Sequence, residues 1–173
     1  MEDQVILVDV HDAPIGLTGK LEAHQKALLH RAVSVFIFNS QQQLLLQKRA
    51  ADKYHSACLW TNTVCTHPKP GESNSDAVRR RLKEEMGLDV QEVTKIFDFT
   101  YLEKLGNELT EHEFDHVFIG FSDDLPLPNA DEVSDFRFVD VDLLRNEIKT
   151  NPQNYTVWFR KIIDRVVSEM NFR

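Results

Sequence analysis

The sequence is poor in cysteine, glycine and proline and has no long apolar run, and each shortage excludes a class of protein. Its two cysteines, Cys58 and Cys65, can close only one small loop, so we predict free thiols in a reducing cytoplasm. With six glycines and six prolines, the chain is neither collagen-like nor of low complexity. No apolar run approaches the ~20 residues that a bilayer span requires. The N-terminus lacks the basic start and long apolar stretch of a secretory signal. We therefore expect a cytoplasmic protein without a membrane segment.

An excess of positive charge is also missing. The chain has 20 Lys and Arg residues against 28 Asp and Glu residues, a net charge of −8. A general nucleic-acid surface or an anionic membrane surface would need a basic face, so we expect neither partner. Any bound phosphate must therefore be held locally, by a few cations or by a metal ion. At 173 residues the chain fits a single domain, 1–173, with its own core. Its oligomeric state is left open between a monomer and a homodimer.

The apolar patterns predict several strands with one central and one terminal helix. The central helix, 76–87, follows Ser73 and Asn74, which are both favourable N-cap residues. The terminal helix, 156–170, has rows of apolar residues at i, i+4 and i+8 spacing. A polar turn joins two of the strands and predicts a hairpin between them. This order predicts an α+β fold built as a layered α/β/α sandwich. The predicted strands span 5–10, 31–39, 44–49, 59–66, 93–103, 113–121 and 135–142, the last entering a short helix, whereas 11–30 is mixed and 124–134 irregular.

Seven histidines suggest a metal site. If residues 111–113 are extended, Glu111 and Glu113 point to one face of the strand and His112 points to the other. The same period of two puts Cys65 and His67 on a common face. Three imidazoles with two carboxylates suit an octahedral ion such as Mn²⁺ or Mg²⁺, and nitrogen-rich ligation also suits Zn²⁺. Because no close-spaced zinc signature is present, the pattern by itself favours scattered solvent-exposed or core histidines.

A second acidic set lies on the central helix, where Glu84 and Glu85 follow Arg81. By itself it is typical of a solvated face with weak ion pairs. However, the approach 66-THPKPGE-72 and the helix stretch 80-RRLKEEMGL-88, seven residues later, resemble the Nudix signature. Thr66 stands where that signature has glycine, and Arg81 stands where it has its first helix glutamate. Losing one carboxylate from the metal cluster weakens the case for a hydrolase while preserving the fold.

Three separated blocks narrow the resemblance to one family. They are 24-HQKALLHRAVSVFIFN-39, 59-LWTNTVCTHPKPGES-73 and 111-EHEFDHVF-118. Together they resemble type 1 isopentenyl diphosphate isomerase, a Nudix-superfamily enzyme, from about Lys20 to Trp158. The resemblance implies a Nudix-like fold and the interconversion of isopentenyl and dimethylallyl diphosphate in isoprenoid precursor biosynthesis.

The resemblance also implies a role for each matched position. The catalytic positions are Cys65, Glu113 and Tyr101. One divalent ion, Mn²⁺, Mg²⁺ or Zn²⁺, falls on His24, His30, His67, Glu111 and Glu113. A Mg²⁺ ion that accompanies the substrate diphosphate falls on Glu85 and the Cys65 carbonyl. The substrate contacts are Lys20, Arg49, Lys53, Arg81 and Trp158.

These residue types suit the implied reaction. The double bond is unactivated, so one group must add a proton and another must remove one, through a tertiary carbocation-like state. We expect Glu113, with Tyr101 beside it, to donate the proton and Cys65 to act as the base. The face of Trp158 can stabilise the cation by a cation–π interaction. Two alternatives stay open, a Nudix-type diphosphate hydrolase and a non-catalytic metal- or diphosphate-binding module. No role is assigned to Cys58, His11, His55, His112 or His116.

Overall fold

The structure, a computed structural model, describes residues 3–171 as a mixed sheet covered by helices. The strands are β1 (Gln4–Val8), β2 (Pro14–Gly19), β3 (His30–Phe38), β4 (Leu44–Arg49), β5 (Trp60–Thr61), β6 (Val64–Thr66), β7 (Val93–Gly106), β8 (Leu109–Phe121) and β9 (Val133–Val139). The helices are α1 (Lys20–Gln25), α2 (Asn74–Met86), α3 (Val141–Thr150) and α4 (Val157–Asn171), with a short 3-10 helix at Pro152–Asn154.

Strand β3 lies at the centre of the sheet. It pairs in parallel with β8, from His30 opposite Glu113 to Phe38 opposite Phe121. On its other side it pairs antiparallel with β6, where Ser34 lies opposite Cys65. Strand β8 also forms a long antiparallel hairpin with β7. The central strand therefore brings the 24–39, 59–73 and 111–118 blocks next to one another.

The predicted hairpin between 31–39 and 44–49 exists only at its turn. Strands β3 and β4 pair at Phe38 and Leu44 alone, after which β4 pairs with β9 and β5. Both strands are almost wholly buried, so each needs partners on both edges to satisfy its backbone groups. The predicted strand 59–66 is in fact two short strands, β5 and β6. They supply partners to two different strands, since β5 pairs with β4 whereas β6 pairs with β3. At the break, the buried Asn62 amide donates to the Val35 and Val64 carbonyl oxygens.

The mixed segment 11–30 holds one strand and one short helix. Strand β2 pairs with β1 alone and is mostly exposed, so no alternation of apolar residues marks it in the sequence. Helix α1 has only six residues, and it buries His24 completely. The apolar residues of this segment show no clear strand or helix periodicity. Its structure is therefore set by pairing with β1 and by packing of α1.

The core occupies both faces of the sheet, which confirms the α+β sandwich. Helix α4 packs Phe159, Ile162 and Val166 on one face, whereas α2 packs Val78 and Leu82 on the other. Both helices begin and end close to their predicted bounds. None of the helices within residues 3–171 is long and apolar enough to cross a bilayer.

The caps of α2 explain why its bounds were predictable. The Ser73 hydroxyl oxygen accepts a hydrogen bond from the Asp76 amide at 3.1 Å. At the other end Gly87 has φ of +65°, and an added Cβ would lie 2.6 Å from the Leu127 carbonyl oxygen. Only glycine combines that conformation with so close an approach.

Candidate active site

The ends of β3, β6, β7 and β8 enclose a pocket with about 380 Å³ of empty volume, which we call the inner pocket. Side chains from α4 and from the segment between β4 and β5 close it, including Trp158 and His55. Eight of the predicted site residues line it, namely Lys20, Arg49, Cys65, His67, Tyr101, Glu111, Glu113 and Trp158.

Four side chains beside this pocket form what we call the four-donor set, His24, His30, His67 and Glu113. One ligand atom from each lies within 4.8 Å of the others. The His67 Nε2 atom lies 2.9 Å from Glu113 Oε1, and His30 Nε2 lies 3.2 Å from His67 Nε2 and 3.5 Å from Glu113 Oε1. Two ligands bound at ~2.1 Å and at right angles on one metal ion lie about 3 Å apart. The spacing of the set is therefore that of neighbouring metal ligands.

The orientation of the histidine rings also fits a metal ion. The Nδ1–H groups of His24 and His30 donate to the carbonyl oxygens of Lys20, at 2.7 Å, and Leu28, at 2.8 Å. Their Nε2 atoms therefore face inward with a lone pair, as metal-binding imidazoles do. The His24 Nε2 atom is fully buried and has no hydrogen-bond partner among residues 3–171. Burial also lowers the pKa of His24, and it lowers that of His67 to about 3, so both rings are neutral at pH 7. These residues fit a divalent cation.

Tyr101 links two carboxyl groups on β8. Its hydroxyl oxygen lies 2.7 Å from Glu113 Oε2 and 2.9 Å from Glu111 Oε2, so both carboxyl groups share one face of the strand, as the period of two predicts. Burial and the neighbouring Glu113 charge raise the pKa of Glu111 well above its usual range. Burial also acts to raise the pKa of Glu113. Hydrogen bonds with His30 and His67 outweigh the effect of burial and hold the pKa of Glu113 well below its usual range.

The Cys65 thiol has polar neighbours on three sides. The S–H group donates to Asn62 Oδ1 at 3.1 Å, and the Trp158 indole N–H donates to Sγ at 2.9 Å. The Ser34 hydroxyl lies 3.6 Å from Sγ and donates to the buried Asp115 carboxyl group at 2.6 Å. Burial, with the Asp115 charge in second place, raises the pKa of the thiol. The side chain is held in one orientation and is neutral in the free protein.

A second and larger depression, with about 1220 Å³ of empty volume, adjoins the inner pocket through Lys20, Thr66 and His67. We call it the basic cleft, because Lys53, Lys69, Arg80 and Arg81 line it as well. Three of these four cations are already paired, since Lys53 and Arg81 both contact the Glu132 carboxylate and Arg80 contacts Glu72 and Glu84. Together with Lys20, five cations face three carboxylates in this lining, so the cleft carries a net positive charge on a chain that is acidic as a whole.

The NUDIX domain family matches residues 28–162 of the chain. Isopentenyl-diphosphate Delta-isomerase 2 of Aromatoleum aromaticum is 52% identical to the chain over 97% of its length and 88% of the relative's length. Isopentenyl-diphosphate Delta-isomerase 2 of Photorhabdus laumondii is 53% identical over 95% of the chain and 92% of its own length. The chain belongs to the isopentenyl-diphosphate Delta-isomerase family.

Solved structures agree on the fold of this isomerase-family chain. A crystal structure from Deinococcus radiodurans has a TM-score of 0.77 at 20% identity, covering 94% of the chain and 98% of that structure. A MutT protein from Methanosarcina mazei has a TM-score of 0.68 at 18% identity, and the match covers 82% of the chain and 94% of that structure. At such identities the likeness establishes the fold alone. The similarity to the isomerases, at about half of all positions, favours the isomerase over the Nudix hydrolase alternative.

Not every residue that the isomerase resemblance selects lies together. Glu111 shares a second group of converging donor atoms with His24 and His55 rather than the four-donor set. Glu85 lies in neither group, and its oxygens accept from Arg81 at 2.9 and 2.5 Å and from Gln47 at 2.8 Å. The metal roles of Glu111 and Glu85 therefore stay predictions.

Thr66 occupies the glycine position of the Nudix signature without strain. It is a residue of β6 paired with Val33, and it is not among the residues with positive φ within 3–171. A glycine is therefore not needed at this position for backbone conformation. The signature's Glu72 and Arg80 keep a paired arrangement, in which the guanidinium donates to the carboxylate at 2.6 and 2.9 Å.

Four polar residues of the site carry no role in the sequence-based prediction, His55, Asn62, Ser34 and Asp115. Asp115 had a signal, because it continues the alternation of Glu111 and Glu113 along β8. Asn62 lies inside the 59–73 block that identifies the isomerase family. Ser34 likewise lies inside the 24–39 block, whereas His55 has no comparable signal, since it reaches the site through packing of the loop after β4.

Proposed function

We propose that this protein interconverts isopentenyl diphosphate and dimethylallyl diphosphate, with Glu113 and Tyr101 on one side of the alkene and Cys65 on the other. The observation that carries the proposal is that these three side chains line one inner pocket together with Trp158. The free thiols are consistent with a reducing cytoplasm as the place of this reaction. The assembly compatible with the proposal is a monomer or a homodimer.

The reaction moves one double bond by one carbon and leaves the atom count unchanged. A proton is added to the terminal CH₂ carbon of isopentenyl diphosphate, which leaves a tertiary cation. A different proton is then lost from the CH₂ group on the other side of that centre, and its C–H electron pair forms the new double bond. Two proton-handling groups that reach different carbons are therefore required, and neither hydrolysis nor oxidation takes place.

Glu113 and Tyr101 are proposed as the proton-donating unit. The Tyr101 hydroxyl lies 2.7 Å from Glu113 Oε2, so a proton can pass along this hydrogen bond. Tyr101 is buried, and burial raises its pKa well above its usual range. The hydroxyl therefore keeps its proton at pH 7 until a reacting group takes it.

Cys65 is proposed as the base. Because the resting thiol is neutral, its S–H proton is proposed to pass first through the Ser34 hydroxyl to the buried Asp115 carboxylate, to which that hydroxyl donates. The raised pKa makes the resulting thiolate a strong base, which suits the removal of a C–H proton from a cation. Asn62 Oδ1 is placed to accept the new S–H hydrogen, since both hydrogens of the Asn62 amide are donated elsewhere. The Trp158 N–H group stabilises the sulfur in its anionic form.

The carbocation-like state needs a dry pocket and a partner that is not a nucleophile. Trp158 is 3% exposed and so excludes water from its side of the pocket. Its ring already contacts a cation in this structure, because the Arg49 guanidinium lies 5.5 Å from the ring centroid. A desolvated cation–π contact contributes roughly 2 kcal/mol or more.

The diphosphate end of the substrate is proposed to lie in the basic cleft, against Lys20, Lys53 and Arg81, with Arg49 at the boundary of the inner pocket. We propose Mg²⁺ with the diphosphate, near Glu85 and the Cys65 carbonyl, and a second divalent ion, Mn²⁺, Mg²⁺ or Zn²⁺, at His24, His30, His67, Glu111 and Glu113. When bound, these ions neutralise the diphosphate charge and fix the orientation of the Glu113 carboxylate.

Incubating the purified protein with isopentenyl diphosphate and Mg²⁺ in D₂O, and following products by NMR, tests the proposal. Deuterated dimethylallyl diphosphate without inorganic phosphate is the expected result, because the proton that is added comes from solvent-exchanged groups. Phosphate release with no allylic product would overturn the proposal in favour of a hydrolase.

A further inference from the structure

Glu132 lies in the basic cleft between two of the proposed substrate contacts and has no part in the reaction described above. Its Oε2 atom accepts a hydrogen bond from the Lys53 ammonium and lies 3.3 Å from Arg81 Nη2. Its side chain is 24% exposed, against 45% for Glu84, which also contacts Arg81 and lines the same cleft. One half-buried carboxylate oxygen therefore joins two cations.

The main chain of Glu132 is held on both sides. Its N–H group donates to the Asn129 carbonyl oxygen at 3.0 Å, and its carbonyl oxygen accepts from the Ala50 N–H group at 3.1 Å. The Asn129 N–H group in turn donates to a carbonyl oxygen of α2, that of Glu85, at 2.9 Å. The carboxylate therefore projects from a fixed point between α2 and the loop after β4, the two elements that carry its cations.

Lys53 and Arg81 need such a partner to stay side by side. Two positive charges that contact the same atom repel each other, and a carboxylate between them offsets that repulsion. Lysine also has a flexible four-carbon stem, so its ammonium group keeps one position only where a partner holds it. Burial acts to raise the pKa of Glu132, but the Lys53 hydrogen bond and the Arg81 charge outweigh burial and hold that pKa below its usual value. The carboxylate is therefore charged at pH 7.

Both cations keep donors for an anion while Glu132 holds them. The Lys53 ammonium has three N–H groups and donates one of them to Glu132. Arg81 has five N–H groups, of which three donate to Glu84 and Glu85. Even with one more turned towards Glu132, the contacts within residues 3–171 leave one N–H group of Arg81 and two of Lys53 for phosphate oxygens. A diphosphate can therefore bind without displacing Glu132.

We propose that Glu132 is a positioning residue, which holds Lys53 and Arg81 together as one binding unit for the diphosphate end of the substrate. This inference rests on the proposed function, because it takes both cations as contacts of that diphosphate. By its charge alone Glu132 opposes an anion in the cleft, so removing that charge would strengthen anion binding. Removing a positioning residue weakens anion binding instead, and the two roles therefore predict opposite signs.

Calorimetric titration of the purified protein with inorganic pyrophosphate, at a fixed Mg²⁺ concentration, tests this sign. Glu132→Gln keeps the shape of the side chain and removes its charge. It should weaken pyrophosphate binding about 10-fold, because two side chains with many rotamers lose their common partner. Glu84→Gln is the matched control, since it removes the same charge from the same cleft and leaves Lys53 paired with Glu132. This control should not weaken pyrophosphate binding.

Kinetic measurements separate positioning from a loss of structure. With isopentenyl diphosphate as substrate, Glu132→Gln should raise KM by about the same factor as the Kd of pyrophosphate and change kcat little, since the diphosphate is held equally in the ground and transition states. In a Lys53→Ala background, where one of its two cations is missing, Glu132→Gln should weaken pyrophosphate binding less than it does in the wild type.

Unchanged or tighter pyrophosphate binding in folded Glu132→Gln, verified by circular dichroism, would overturn the proposal, and so would an equal weakening in Glu84→Gln. If Glu132→Gln does not fold, Glu132→Asp takes its place, because it keeps the charge and withdraws the carboxylate by one carbon. Unchanged binding in that variant would equally contradict the proposal. The pyrophosphate titration needs no turnover, so it tests Glu132 even in a protein that fails to isomerise. Isomerisation with an unaffected titration would contradict this inference alone.

Discussion

The carboxylates of β8 and those of α2 are neutralised in different ways. Around Glu113 the contacts come from imidazole rings and the Tyr101 hydroxyl, and no lysine or arginine among residues 3–171 hydrogen-bonds to it. On α2 every carboxylate already has a cation, since Arg79 contacts Asp76 while Arg80 and Arg81 contact Glu84 and Glu85. The first region offers donor atoms to an added cation, whereas the carboxylates of the second are neutralised by arginines of the same helix.

The difference follows from one position of the Nudix signature. Arg81 stands where the signature has a glutamate, and its guanidinium binds the buried Glu85 by two hydrogen bonds. A protein cation thus occupies the charge position that a metal cluster would need. His24, His30 and His67 belong instead to the four-donor set, where their lone pairs have no arginine in competition. The proton chemistry that we propose for this fold therefore lies at β8.

The largest effect is expected on the β8 side, from variants of the proton-handling groups. Glu113→Gln and Cys65→Ala should each lower kcat by about 10²- to 10⁴-fold, because each removes a group that exchanges a proton with substrate. Cys58→Ala, which removes an exposed thiol, should leave kcat unchanged. The deuterium NMR assay measures all three, and full activity in Cys65→Ala would contradict the mechanism.

On the α2 side, the largest expected effect is on stability. Arg81→Ala leaves the buried Glu85 carboxylate without its cation and should lower the free energy of unfolding by about 3–5 kcal/mol. Arg79→Ala is the matched control, because its ion pair with Asp76 is exposed, and it should cost no more than about 1 kcal/mol. Urea denaturation in the presence of a chelator compares them. Equal losses would mean that the α2 network does not depend on the Arg81 charge.

Cation addition should separate the two regions directly. Mn²⁺ at 100 times its Kd should raise the free energy of unfolding by about 2.7 kcal/mol, since it binds only the folded state. His24→Ala should remove this gain, because His24 is a ligand in the proposed ion site. Glu84→Gln, which changes a carboxylate that Arg80 and Arg81 already neutralise on α2, should keep the stability gain from Mn²⁺. Denaturant curves with and without Mn²⁺ provide the measurement, and an undiminished gain in His24→Ala would place the cation elsewhere.

The smallest expected effect is a pH dependence from the pair Glu72 and Arg80. Hydrogen bonds from Arg80 hold the pKa of Glu72 below its usual value. The pair therefore stabilises the protein above the unfolded-state pKa near 4.5, and this contribution is lost as the pH falls through the lower folded-state pKa. Glu72→Gln should cost about 1 kcal/mol at pH 7 and progressively less as the pH falls below 4.5. Denaturant curves at several pH values measure this, and a pH-independent cost would exclude the charge as its cause.

Local signals in the sequence predicted much of this fold and part of the site. The Ser73 cap, the helix-forming run and Gly87 determine α2 by short-range hydrogen bonding and backbone conformation, so its bounds follow from residues within the helix. The alternation along β8 placed Glu111 and Glu113 on one face. The divided strand 59–66 and the one-pair hairpin were not predictable, because pairing partners far along the chain decide which edge each strand joins.

The sequence alone determined which residue types are present and in what order, and its three blocks sufficed to indicate the isomerase family. Only the tertiary structure decided which donors meet. In the parallel register of β3 and β8, His30 lies opposite Glu113, and a slip of one residue would turn one of them to the other face. Helix α1 brings in His24, and the loop after β4 brings in His55. These contacts join residues far apart in sequence, so packing of the whole sheet sets them rather than any local pattern.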